Sequence, residues 1–215
     1  MPVWQHVYEE LNDPNFVLIC VAEDTGGEAV AGPIFDAASP TYIQVVDENH
    51  VVSSAFNFVN VPSAVWIDEE GRIVRIDEGT YAKLHEIGEG DQSISFGTDV
   101  YAPALKDWVR HGAESDYVKS AAAVSGEIRD FTADQLKADA AFCLGNLFRS
   151  HGQQEKTEQY WNLAKELNPD SVNFIRQNLT LTEEGSAGET FMTMMGEYIS
   201  SGKDYYRPFD IEAKS

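Results

Sequence analysis

A thiol is the most readily activated nucleophile among the side chains, so the two cysteines of this 215-residue chain are the first candidates for chemistry. Cys20 lies inside the apolar run Phe16-Val17-Leu18-Ile19-Cys20-Val21-Ala22, and Cys143 stands between Phe142 and Leu144 in a segment with helical spacing. Both settings predict a buried small hydrophobe rather than a nucleophile. The two have no CxxC spacing, and no disulfide framework accompanies them. A peroxidase role for Cys20 is disfavoured, because a thiolate within an apolar strand is desolvated and its pKa rises. The five histidines are scattered, none at ligand spacing from another His, Cys or Asp, so no metal is implied. Asp68, Glu69 and Glu70 offer neighbouring acids, yet their place before a glycine suits a turn better than acid–base work. Gly26-Gly27 and Gly88-x-Gly90 lack the strand-to-helix setting and the lysine of a phosphate loop. No cofactor is implied.

The elements that must position these residues follow from periodicity. Val3, Val7, Tyr8 and Leu11 predict a helix ending at Asn12-Asp13-Pro14. Residues 16–22 predict a strand covered on both faces, as in a mostly parallel sheet. A short helix over 28–38 is expected to be kinked or interrupted at Gly32-Pro33, and a second strand follows over 42–46. Asp47-Glu48-Asn49 then caps a helix over about 50–58, with Val51, Val52, Ala55 and Phe56 on its inner side. Ala64 to Ile67 and Ile73 to Ile76 flank Asp68-Glu69-Glu70-Gly71 as a β-hairpin. This order is an α/β pattern with one mixed sheet. Residues 77–99 read as a long loop or weakly structured insertion. Asp99 reads as the N-cap of a helix with Pro103 in its first turn, running through Leu105, Trp108 and Val109 and stopping at Gly112. The remainder is helical, with a Thr132–Gln135 capping box opening a helix through Leu136, Ala140, Leu144 and Phe148.

Composition narrows the partners. A hydrophobic fraction of 43% supports a packed core. The formal net charge of −21 repels phosphate backbones and anionic lipid heads, so neither nucleic acid nor membrane insertion is expected. No apolar run reaches the roughly 18 residues that span a bilayer. The opening Met1-Pro2-Val3-Trp4 carries no cationic-then-apolar leader, so the chain reads as soluble, with its compartment open.

The stretch Asn60-Val61-Pro62-Ser63-Ala64-Val65-Trp66-Ile67-Asp68-Glu69-Glu70-Gly71-Arg72-Ile73-Val74 resembles the thioredoxin-like redoxin family, in the branch of TlpA-like and cytochrome-maturation thiol oxidoreductases. There a Val-Pro pair precedes a strand ending in Ile-Asp, followed by an acidic turn, glycine and a basic residue with Ile-Val. The aspartate-led helix from Asp47 and the closing helix from Leu105 to Gly112 fit the same pattern, which spans about half the chain. The resemblance implies an incomplete thioredoxin-like α/β fold over 1–112, followed by an α-helical tail over 113–215. It implies a cis Pro62, with Val61 offering its backbone to an extended protein thiol or disulfide substrate; Val61 and Pro62 are the expected substrate-binding residues. No catalytic residue is expected, because the first strand and the CxxC loop have no counterpart: Met1 to Trp4 is similar to the later part of the family's first helix. Either that segment, with cysteine or selenocysteine, lies upstream, or the scaffold has dispensed with it. A second resemblance, to a tetratricopeptide repeat, rests on Leu144-Gly145-x-x-Phe148, Gly152, Trp161, Ala164, Leu167 and Pro169. It implies a helical hairpin over about 132–169, packed on the α/β part or offering a groove to a protein partner, with a further helix over 172–179. The functional expectation is a thiol–disulfide oxidoreductase scaffold inactive by itself; the alternative is a non-catalytic thioredoxin-like protein-binding module.

Overall fold

Val3, Val7 and Leu11 share one helical face, and α1 (Pro2–Leu11) forms over them. Asn12 ends it in the left-handed region at φ 39°, two residues before Pro14. The computed structural model describes residues 2–58, 60–87, 94–181, 188–202, 206–208 and 210–211. Among them the fold is mixed α/β and rich in helix.

β1 (Ile19–Glu23), α2 (Glu28–Ala38) and β2 (Ile43–Asp47) make a parallel βαβ unit, with Ile19 opposite Ile43 and Glu23 opposite Asp47. α2 runs on through Gly32 and an exposed Pro33, so of the expected kink or interruption the interruption is corrected. The strand is not covered on both faces either. Ile19, Ile43 and Val45 share one face of the ladder and are 42 to 56% exposed, since a two-stranded ladder gives a covering layer little to span.

α3 (Val51–Phe56) is held by polar contacts. His50 occupies its N-cap position, which corrects the expected Asp47-Glu48-Asn49 cap, although the Asp47 carboxylate still accepts from the Val52 amide at 2.7 Å. The expected inner face is corrected: Val51 and Ala55 are exposed and Ser53 is buried. The helix is registered by the Ser53 amide, which donates to Glu23 at 2.6 Å, and by the Ser54 hydroxyl, which donates to Asp139 at 2.9 Å.

β3 (Ser63–Ile67) and β4 (Ile73–Glu78) form the antiparallel hairpin that the alternation predicts. Asp68 accepts from the amides of Glu70 and Arg72 and from the Arg72 guanidinium, so the acidic turn serves the hairpin. Residues 77–99 contain more structure than a loop: β5 (His85–Ile87) and β6 (Ile94–Phe96) pair antiparallel, and Gly88 and Gly90 lie outside the described residues. The single mixed sheet is also corrected. Among the described residues the ladders are three separate two-stranded pairs, because no backbone hydrogen bonds join the β1–β2 and β3–β4 pairs.

α4 (Tyr101–His111) stops at Gly112 as expected, but Asp99 is not its N-cap. Its carboxylate accepts from the Leu84 amide instead, and Val100 occupies the cap position. α1, β3 and α4 enclose one core of Val7, Trp66, Tyr101, Ala104 and Leu105, in which the Trp66 indole donates to the Tyr101 hydroxyl at 2.8 Å.

α5 (Ala121–Glu127) leads to the helical hairpin of α6 (Ala133–Ser150) and α7 (Gln154–Leu167), and then to α8 (Val172–Leu179) and α9 (Glu189–Ser200). The Thr132–Gln135 capping box forms in full. Gly145 lets the two long helices meet: a Cβ there would lie 2.3 Å from Trp161 Cδ1. Trp161, Ala138 and Ala164 are fully buried with Phe142 and Phe174. The buried stripe is therefore Ala138, Ala141, Phe142 and Gly145, while Leu136 and Ala140 face solvent. The hairpin meets the α/β part where His50 packs edge-on to Phe142 and Thr25 donates to Gln177 at 2.6 Å.

Candidate functional site

Val61 and Pro62 lie in the short link between α3 and β3, and the bond between them is cis. Asn60 is buried and shapes this link twice. Its side-chain oxygen accepts from the Val61 amide at 2.8 Å, and its carbonyl accepts from the Ser63 hydroxyl at 2.8 Å. The Pro62 carbonyl accepts from the amides of Gly79 and Thr80, extending the hairpin by one more contact. The Val61 side chain remains 40% exposed. Its carbonyl points to a partner of distant origin: the Tyr206 hydroxyl donates to it at 2.9 Å.

Tyr206 reaches that carbonyl because Gly79 has no side chain. Gly79 takes φ 66°, and a Cβ there would lie 2.9 Å from Tyr206 Cγ. The Tyr81 and Tyr206 hydroxyls are 3.2 Å apart, so the ring is held from a second side.

Beyond Tyr206 the contacts become ionic. Glu78 is almost fully buried, and Arg129 grips its carboxylate at 2.7 and 2.9 Å. The Arg207 amide adds a third donor at 3.1 Å, while its guanidinium donates to the Glu127 carbonyl. Arg75 is buried between Asp77 and Asp210, and Lys119 bridges Glu127 and Asp210. Asp77, Glu78, Lys119, Glu127, Arg207 and Asp210 line a cavity of about 150 Å³. Burial raises the Asp77 carboxyl more than Arg75 lowers it. Burial also raises Asp210, but Lys119 and Arg75 together outweigh it and hold that carboxyl below its ordinary value.

The thiols sit apart from this edge. Cys20 is half-buried in β1, and burial pushes its thiol up. Cys143 is exposed on α6, which corrects the expected burial: it lies one position outside the stripe that faces Trp161. Its thiol is also pushed up, by partial burial and then by Asp139 and Asp47. Neither environment favours a thiolate at neutral pH.

A second polar cluster has no counterpart among the sequence-based candidates. His50 Nδ1 lies 3.6 Å from the buried Glu23 carboxylate and 3.2 Å from the Asn173 amide. His50 Nε2 and Glu23 Oε2 are buried without a hydrogen-bond partner, and His50 lines a cavity of about 20 Å³, room for one water. Among the described residues no three His, Cys, Asp or Glu side chains gather as a metal site.

Of the expected site, the structure brings Val61 and Pro62 together with Tyr206 and Gly79. By its residues the aromatic, charged run 205–209 could tether the tail to the α/β part or meet a partner, with nothing to name residue 61 as its target, and its Tyr205 and Phe209 lie outside the described residues. Comparison with protein-family models, curated proteins and solved structures finds no match to this chain.

Proposed function

We propose that the chain is a thioredoxin-like scaffold of the thiol–disulfide oxidoreductase type, which receives an extended polypeptide along the Val61–Pro62 edge. In its 215 residues it works as a binding module, because neither thiol is activated. The observation that carries this reading is the Val61 carbonyl, presented at the surface and already met by a hydrogen-bond donor from elsewhere in the chain. An extended peptide uses the same chemistry, donating its backbone N–H to an open carbonyl edge.

Two measurements test it. Titration of the isotope-labelled chain with extended cysteine-containing peptides, reduced and alkylated, is expected to move the amide signals of Val61, Ser63 and Ala64 first. Shifts confined to the α6–α7 hairpin would instead support a helical-groove binder. Insulin disulfide reduction is expected to stay at the buffer rate; clear turnover that survives Cys20→Ser and Cys143→Ser would sink the binding-module reading.

A further inference from the structure

Tyr206, Arg207 and Asp210 each contact the hairpin or its neighbours, and they satisfy groups beside the Val61–Pro62 edge. Tyr206 donates to the Val61 carbonyl, and its ring covers the bare Cα of Gly79. Arg207 bonds Glu78 and the Glu127 carbonyl. Four residues after Tyr206, Asp210 places its carboxylate between Arg75 and Lys119. Ile211 is buried in the same core cluster as Trp66 and Tyr101. The anchoring is uneven. Asp210 is 56% exposed and the Tyr206–Val61 hydrogen bond is at the surface, so water competes for both.

We propose that Tyr206, Arg207 and Asp210 act together as a built-in ligand, a strap that occupies the Val61–Pro62 edge and excludes the polypeptide partner while docked. This rests on the reading of that edge as the partner's site. The strap also names the partner's chemistry. Its displacement withdraws one carboxylate from Arg75 and Lys119, leaving each with a single acid, Asp77 and Glu127. In a chain of net charge −21 that is a local opening for an anion. The fitting partner is an extended segment that donates a hydrogen bond to Val61 and carries an Asp or Glu about four residues later. Because the strap is covalently attached, it competes at the high effective concentration of a tethered group, and weakening its contacts raises the partner's apparent affinity.

The test uses the full chain, unmodified and carrying Tyr206→Phe with Asp210→Asn. The first probe is a synthetic peptide of residues 203–215. It is expected to bind the double variant about tenfold more tightly than the unmodified chain, because the tethered strap loses the Tyr206–Val61 hydrogen bond and the Asp210 charge between Arg75 and Lys119. The same peptide with its aspartate at 210 changed to asparagine is expected to lose most of that gain. Tyr206→Phe alone keeps the ring and the ion pairs, and is expected to give a smaller gain in the same direction. Amide exchange at Arg207 reports strap opening without any peptide, and is expected to quicken in both variants. Equal peptide affinity for the unmodified chain and the double variant overturns the strap. The cysteine-containing peptides used above separate the two ideas: equal binding to both chains sinks the strap and spares the edge, whereas binding to neither sinks the edge.

Discussion

Glu78 ends a strand with its carboxylate almost fully out of water, and it is stable there because Arg129 and Arg207 reach it from far along the chain. Glu78→Ala leaves two guanidiniums without their acid. Because both keep some solvent, the expected loss is about 2 to 3 kcal/mol, at the low end for a broken buried pair, read from urea denaturation. Asp210 gives a pH test. Its carboxyl is held below its ordinary value of 3.8, so the stabilisation it lends is fully present above that value and is lost as pH falls through the lower folded value. Asp77 runs the other way: its raised pKa costs stability as pH rises through the ordinary range, so its protonation on acidification favours the folded chain. The other charges at this site are Arg75, Lys119, Glu78, Glu127, Arg129 and Arg207. Strap protection at the Arg207 amide is therefore expected to persist on acidification to about pH 4 and to fail below it; loss near pH 6 would contradict the Asp210 assignment.

At the scale of elements, Gly145 decides how closely α6 and α7 approach. Alanine at an unencumbered helix position gains about 1 kcal/mol over glycine, but here its methyl would meet the Trp161 ring at 2.3 Å. Gly145→Ala is expected to lower stability by about 1 to 2 kcal/mol despite the propensity gain, measured as a reduced denaturation midpoint. The same hairpin shows what local pattern conveys. The Thr132–Gln135 box, the Asp68 turn and the stop at Gly112 were legible because each needs only its own few residues. The phase of α6 was not, since Leu136 and Ala140 make as good an apolar stripe as Ala138 and Phe142 until Trp161 chooses between them. Ser53 replaced Val51 on the inner side of α3 for the same reason, a tertiary contact to Glu23 outranking a short apolar pattern. Asp99 read as a cap, but the Leu84 amide, fifteen residues away, claimed it. The cis bond between Val61 and Pro62 was legible through a sequence resemblance. Tyr206 was not, because nothing local to residue 61 signals a hydroxyl 145 positions later.

Across the whole molecule, the α/β part and the helical tail share polar and aromatic contacts at one seam: His50 on Phe142, Ser54 on Asp139 and Thr25 on Gln177. Phe142 stacks in the tail core and also meets His50, so Phe142→Ala is expected to cost about 3 to 5 kcal/mol and to weaken both parts. Fluorotryptophan NMR distinguishes them: the signals of Trp66 and Trp161 are expected to vanish at one temperature, and two separate transitions would show independent units. Net charge adds a salt test. Raising ionic strength from about 0.01 to 0.15 M shortens the screening length from about 30 to 8 Å, which relieves self-repulsion in a chain of −21. Melting temperature is expected to rise, while exchange at the Arg207 amide quickens as the strap's exposed Asp210 ion pairs are screened. Finally, the 145-residue separation between Val61 and Tyr206 is also a clock. At ribosomal speeds of roughly 5 to 20 residues per second, the closing hydroxyl is made about 7 to 29 seconds after the carbonyl it meets. During each round of synthesis the hairpin edge has an interval with no internal rival, and a partner present at the ribosome meets it first.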